Sequence, residues 1–529
     1  TTRELDGESA MLKNPVFVES LIVFGVVLCV HAVVWNKLTW CVLAVAVQAY
    51  YVQHKWDRLL KSGNAVFHFR PALSSGVLPA SVVVPLLGIV LKERWQVVSN
   101  VQFERFCLVC SAAGMAIALF VSLLALGLTK PLPTNTCTVY GFAASAIIYT
   151  VKHSLSVSEV IEVLEVLLIF VYLSLIVLYI MPRSFTPGEV TIVLTGLSVI
   201  TNQLIKRSLS FADGKSDPLA SFLLVTVVGV VLLGIAFTIF YSFTDSQNWV
   251  SSLSFHTLSV IFGLGILVPW LYRLTRTDPL SWLLEFLTGT RTRLGLLTYW
   301  SVLALASSFI VCWQNVKPAS EQASTVVRKS FHLVIVATFV PGLIYDRQLL
   351  YVAAVLCLAA LIVLEYVRYF RIKPLGNVLS QILAVFLDSR DCGPLILTHI
   401  YLLLGLSLPI WLFPGVFLPK SSVPGGVALA PYAGVLAVGV GDAMASAFGS
   451  TMGEFHWPGT RKTFEGTATS VFAQVIAVAL ILIFDRTVNL NSSYAWIMGS
   501  ILSVSLLESF TDQIDNLLLP LYLFILLMV

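Results

Sequence analysis

The chain has 529 residues, 57% of them hydrophobic and 11% charged, with mean hydropathy +0.89. A soluble domain carries about 25% charge, and apolar runs long enough to cross a bilayer recur from end to end, so a soluble globular protein is excluded; the runs are continuous rather than alternating, which argues against a β-barrel. The net charge of +4 decides little, because membrane loops collect Lys and Arg for topological reasons.

The expected fold is all-α: a polytopic membrane protein with about 14–17 transmembrane helices. The first apolar run, 16–35, is long and its flank holds both signs of charge, so a retained span rather than a cleaved signal is expected. A basic connector follows, with Lys55, Arg58, Lys61 and Arg70. Long runs recur at 106–128, 162–180, 220–243, 253–272, 293–313, 349–367, 395–413 and 468–484. Shorter or more polar candidates lie near 38–53, 77–92, 138–151, 188–205, 333–346, 432–450, 494–507 and 517–529. Cys107 and Cys110 form a C-x-x-C pair inside an apolar run with no second pair, which reads as core packing. Glu159, Glu162 and Glu165 recur every third residue, as a solvated membrane-entry face or an ion pathway.

The chain divides at about residue 315. Residues 1–315 are span after span with short connectors, expected to act as a lipid-accommodating scaffold. Residues 316–529 concentrate the polar residues in four segments: Val327–His332, Leu364–Gly376, Gly441–Thr467 and Leu506–Asn516. Counting spans between them returns all four to one side. In this half that side holds Arg328, Lys329, Arg368, Arg371, Lys373, Arg390, Arg461 and Lys462, and the other holds Arg347, Lys420 and Arg486. The positive-inside rule then makes the first side cytosolic. The N-glycosylation sequon Asn491–Ser493 falls on the opposite side, in agreement.

Gly441–Thr467 reads GDAMASAFGSTMGEFHWPGTRKTFEGT. Asp442 sits in an apolar span, where a charge costs about 2.5–3.5 kcal/mol and calls for a partner or a function. The following loop offers Gly449, Ser450, Thr451, Gly453, Gly459, Thr460, Arg461, Lys462, Thr463, Glu465 and Gly466. Glycine N–H groups, hydroxyls and two cations make a kit for a polyphosphate. The spacing is not that of a P-loop. Trp457 is expected to anchor at the membrane interface rather than to pack on a base. Arg328 and His332 stand at i, i+4, with Lys329 beside them. Glu508, Asp512 and Asp515 stand at i, i+4, i+7, one face of a continuous helix, and suggest a Mg²⁺ site that Asp442 could share. Together these describe a site for a metal–nucleotide complex beside the bilayer, suited to phosphoryl transfer to a membrane alcohol. Asp442 could orient or deprotonate that hydroxyl, or hold the metal.

The segments RKSFH, LEYVRYFRIKPLG, LTHIYLLLGLSLPIWL, WPGTRKTFEGT and LLES with QIDNLLLPLYL resemble the dolichol kinase family, as do KHSLSVSEVIEVLEVLLIFVYL and FTPGE in the first half. The carboxy-terminal part is similar to the wider polyprenol kinase group. The resemblance implies an endoplasmic-reticulum membrane enzyme, with its active site facing the cytosol, that transfers the γ-phosphoryl group of CTP to dolichol for N-glycosylation, mannosylation and GPI-anchor synthesis. It implies a divalent cation, Mg²⁺ or another. The wider group's RK pair, GD acid and following glycine map onto Arg328, Lys329, Asp442 and Gly449, and its late Glu and Asp-Asn onto Glu508, Asp515 and Asn516. Asp442, Arg328 and Lys329 are then expected to be catalytic, and His332, one turn from Arg328, is expected to join them. Partners are then dolichol, CTP and the bilayer, with no nucleic acid; the oligomeric state stays open. The alternatives are a CTP-dependent kinase or cytidylyltransferase for another membrane lipid and, more remotely, an ion-coupled transporter, which should show inverted-repeat halves.

Overall fold

The computed structural model describes residues 14–63, 67–95, 101–128, 152–210, 216–244, 248–315, 325–384, 391–488 and 494–529, with scattered positions between 138 and 149. Half of the 138–151 candidate span lies outside the described residues, and Arg390 and the Asn491–Ser493 sequon lie wholly outside them. Arg328 and Lys329 fall at the start of a helix, and their side chains are likewise outside the description.

The described residues form helices α1 (Pro15–Val34), α2 (Lys37–Ser62), α3 (Val77–Arg94), α4 (Val101–Leu128), α5 (Val157–Ile180), α6 (Pro187–Leu209), α7 (Pro218–Phe243) and α8 (Trp249–Thr275). These are followed by α9 (Pro279–Thr288), α10 (Arg291–Asn315), α11 (Thr325–Tyr345), α12 (Arg347–Tyr369) and α13 (Gly376–Ala384). The series ends with α14 (Thr398–Trp411), α15 (Val435–Met452), α16 (Phe464–Phe484), α17 (Tyr494–Phe510) and α18 (Asp515–Met528). Nine of the described helices are long and apolar enough to cross a membrane, and four shorter apolar stretches accompany them. α2, α3 and α10 are also of spanning length but more polar. This is the all-α, polytopic architecture the hydropathy predicts.

Local chemistry sets the helix starts. Asn14, Asn36, Asp217, Asn248, Asp278, Asp346 and Thr463 each accept a hydrogen bond from a backbone N–H of the first turn. At α6, Thr186 and Glu189 form a reciprocal capping box behind Pro187.

Contacts between connectors sort into two ends of the bundle. At one end the Arg183 N–H donates to the His68 carbonyl, the Arg70 N–H to Phe185, the Leu73 N–H to Asp512, and the Thr511 hydroxyl to Glu19. At the other, Asn36 meets Glu93, Lys206 pairs with Glu162, and Arg347 pairs with Asp485. The four polar segments all lie at the first end. Basic residues are not confined to it: Lys92, Arg94, Lys206, Arg273, Arg293 and Arg347 sit at or near the other.

The centre is occupied by α18. Its side chains from Leu517 to Met528 are almost wholly buried, between α3, α14 and the first half of α15. Close approach demands glycine there: a Cβ on Gly405 would lie 1.7 Å from the Asn516 carbonyl oxygen.

Candidate functional site

Asp442 closes a π-helical segment, Val435–Asp442, that continues as the α-helical Ala443–Met452. Such a widened turn re-phases the helix faces and recurs at functional sites. The backbone comes close to its neighbours: a Cβ on Gly439 would lie 2.6 Å from Val336, and one on Gly441 2.7 Å from Gln474 Nε2. Asp442 is buried, and the buried His332 of α11 brings Nε2 to 3.5 Å from Asp442 Oδ2. That is a contact rather than a well-formed hydrogen bond. Neither His332 ring nitrogen has a hydrogen-bond partner among the described residues.

The loop after α15 folds back on itself as a hairpin. The Trp457 N–H donates to the Lys462 carbonyl at 2.9 Å, and the Phe464 N–H to the Phe455 carbonyl at 2.8 Å. Pro458 and Gly459 make the turn, with Gly459 at φ +75°; only glycine adopts that conformation without strain. The hairpin is fastened at both sides. Glu465 accepts from the Phe455 N–H at 3.1 Å, and Trp457 Nε1 donates to Thr467 Oγ1 at 2.9 Å while its ring packs on Phe464 and Phe510. Trp457 is thus anchored inside the protein. Thr463 caps α16 through Gly466. Gly449, Gly453 and Gly466 serve close packing: a Cβ on Gly466 would stand 2.8 Å from the Ala445 carbonyl oxygen, and one on Gly453 2.4 Å from that of Gly449. Ser450 and Thr451 donate to the Ala447 carbonyl, while Arg461 points outward at the exposed tip. Thr460 accepts from the Lys462 N–H at 3.2 Å.

The hairpin also carries Lys462 inward. Its Nζ lies 2.9 Å from Glu508 Oε1 on α17, with the lysine side chain 37% exposed and the glutamate 4%. Burial opposes the ammonium charge, but Glu508, Asp442 and Asp515 together overcome it and hold Lys462 protonated, above the ordinary lysine range. Asp442, Glu508, Asp515 and Lys462 therefore form one electrostatic cluster, drawn from α15, α17, α18 and the hairpin. The sequence expectation is corrected at Asp512. α17 ends at Phe510 and α18 begins at Asp515, so the i, i+4, i+7 face does not exist. Asp512 turns toward the first half, where its carboxylate accepts the Leu73 N–H at 2.7 Å.

Among the described residues no three His, Cys, Asp or Glu side chains are grouped closely enough to hold a metal alone. The carboxylates of the cluster supply hard oxygen donors, and Lys462 already seats a cation among them. A Mg²⁺ ion binds through one or two carboxylates and completes its shell with water and phosphate oxygens, so the donor set fits a metal that arrives with a polyphosphate.

Elsewhere the polar candidates have structural partners. Arg368 binds Glu365 and the Pro394 carbonyl. Glu159 sits 3.5 Å from Arg105 and Glu162 pairs with Lys206. Cys107 is buried in the core. Sequence reasoning did not reach the pairing of Lys462 with Glu508 or the tie of Asp512 to Leu73; these join residues 46 and 439 positions apart, and no local spacing signals such contacts.

A family model for dolichol kinase matches residues 2–403. The chain is 62% identical to dolichol kinase from Homo sapiens over 527 residues, 99% of this chain and 98% of the relative. The chain belongs to the dolichol kinase family. Dolichol kinase from Bos taurus is equally similar, at 62% over 527 residues. The Arabidopsis thaliana dolichol kinase EVAN is 32% identical over 277 residues, 51% of this chain and 47% of the relative. No solved structure matches. The family model's match stops short of Asp442, whereas the alignment to the human and bovine dolichol kinases spans nearly the whole chain, the acidic cluster included. The chain is an enzyme of this family, with many membrane-spanning helices.

Proposed function

We propose that the chain transfers the γ-phosphoryl group of CTP to dolichol, giving dolichyl phosphate and CDP at the cytosolic face of the endoplasmic-reticulum membrane. The observation that carries this is the cluster of Asp442, Glu508, Asp515 and Lys462 at one end of the spans, in a chain 62% identical to proteins named dolichol kinase. One substrate is a lipid and the other is dissolved in water, and the cluster stands where the two meet. The cytosolic assignment follows from the aqueous nucleotide and from the basic residues of the second half.

Phosphoryl transfer needs positioning and charge neutralisation more than covalent chemistry. A divalent cation, when bound, neutralises charge developing on the phosphates. Glu508 and Asp515 are the residues to hold it, with Asp442 either joining them or facing the alcohol. Arg461 at the hairpin tip meets the outer phosphates. Lys462 exchanges its bond to Glu508 for a phosphate oxygen as the nucleotide enters. Arg328 and Lys329, at the start of α11, add positive charge at this end. On the membrane side His332 and Asp442 receive the dolichol hydroxyl and hold its proton as the O–P bond forms. Thr460 and the hairpin backbone keep the cations in place.

The test is a reconstitution of purified protein in dolichol-containing vesicles with doubly labelled CTP. Label from the γ-phosphate alone should enter the lipid, and Asp442→Asn should abolish it while the protein stays folded in the bilayer. Transfer of the cytidine label would instead indicate a cytidylyltransferase, and full activity of the variant would remove Asp442 from the site.

A further inference from the structure

The four residues between the end of α17 at Phe510 and the start of α18 at Asp515 are held by the amino-terminal half of the chain. Thr511 donates its hydroxyl to Glu19 of α1 at 2.7 Å. Asp512 accepts the Leu73 N–H at 2.7 Å. Gln513 accepts from the Thr186 hydroxyl at 2.7 Å and donates to the Ser74 carbonyl at 2.9 Å. The Ile514 N–H donates to Glu189 at 3.3 Å, and Glu189 is itself ion-paired with the buried Arg70. The fit is close: a Cβ on Gly76 would meet the Gln513 side chain at 2.2 Å, and one on Gly188 the Gly76 carbonyl oxygen at 2.3 Å. Glu19, Thr186, Glu189 and Gln513 are all buried.

This is more fastening than a turn between two helices requires. Helices α17 and α18 are already packed on one another, and a four-residue connector can be satisfied by its own turn and by water. Here each of its residues is bonded, beyond the local turn, to α1, to the segment before α3, or to α6 and its cap. The result fixes where α17 ends and where α18 begins, and hence the separation of Glu508 from Asp515.

We infer that residues 70–76 and 186–189 form a clasp that sets the geometry of the metal–nucleotide carboxylates, with Asp512 and Gln513 as positioning residues rather than ligands. The inference rests on the proposed function. Outer partners that orient metal-binding side chains typically alter metal affinity or activity about 10–100-fold when removed.

The experiment compares full-length purified Asp512→Ala, Asp512→Asn and Gln513→Leu with the parent chain. Two quantities are measured: Mn²⁺ bound in the presence of CDP, by electron paramagnetic resonance, and the separate KM values for CTP and dolichol. Asp512→Ala and Gln513→Leu should weaken Mn²⁺ binding about tenfold or more, with the dolichol KM within about twofold and the thermal midpoint retained. Asp512→Asn keeps an oxygen that accepts the Leu73 N–H, so it should restore most of the Mn²⁺ affinity. An Asn variant as damaged as the Ala variant would make Asp512 a ligand and overturn the inference. Unchanged Mn²⁺ affinity in Ala and Leu, or equal losses in both KM values, would overturn it too. If the parent chain itself binds no Mn²⁺ with CDP, the proposed function fails and the inference with it.

Discussion

At the scale of single residues, Arg461 and Lys462 are neighbours with different roles. Arg461 is exposed, so Arg461→Ala should leave stability within about 0.5 kcal/mol while raising the KM for CTP. Lys462 is paired with Glu508, and removing it leaves a buried carboxylate without its cation. Because the lysine is more than a third exposed, solvent screens part of that loss, and Lys462→Met should cost about 1–2 kcal/mol. Thermal unfolding and CTP kinetics on the two single variants check this; equal destabilisation would refute the distinction. The positive charges of the loop were legible in the sequence, as was the need of Asp442 for a partner. The buried partner of Lys462 was not, because it lies on a different helix and is brought there by packing alone.

At the scale of elements, the hairpin and the seam beneath it are one construction. Gly466→Ala would push a methyl group to 2.8 Å from a backbone oxygen of α15, and overpacking of this kind costs about 1–3 kcal/mol. The cap residue Thr463 would move with it, so a lower melting temperature should accompany a higher KM for CTP. A second element-scale prediction concerns the far end. Lys420 donates to the last carbonyls of α11. Burial, with Arg347 nearby, pushes its pKa down from 10.5 to about 8. The unfolded chain therefore binds more protons at this site between those values, and stability from it should rise with pH across that window and be flat below it. Lys420→Met should flatten that part of the stability–pH curve; an unchanged slope would exclude the assignment. The polytopic all-α architecture, and the return of the four polar segments to one end, could be read from hydropathy and parity, which are local properties. The end of α17 at Phe510 could not, since the acidic spacing fits a continuous helix and the partners of residues 511–514 lie far off in the sequence.

At the scale of the whole molecule, the sequence suggests a scaffold half and a catalytic half, and the contacts between them are dense. Thr511, Asp512, Gln513 and Ile514 find their partners in residues 19–189, and Tyr522 donates to the Pro79 carbonyl. Residues 316–529 made alone would leave these groups unpaired and α18 without α3. Such a fragment should be degraded or inactive, and co-expression with residues 1–315 should restore dolichol phosphorylation; activity from the fragment alone would contradict this.

The central seat of α18 has a consequence for biogenesis. A chain is threaded into the membrane from its amino end, and α18 follows every helix it packs among. The seat between α3, α14 and α15 has to be kept by lipid, by a loose early arrangement, or by an insertase until that helix arrives. The acidic cluster then comes together only after the helices around α18 are in place, which leaves the site incomplete until that helix is seated among them.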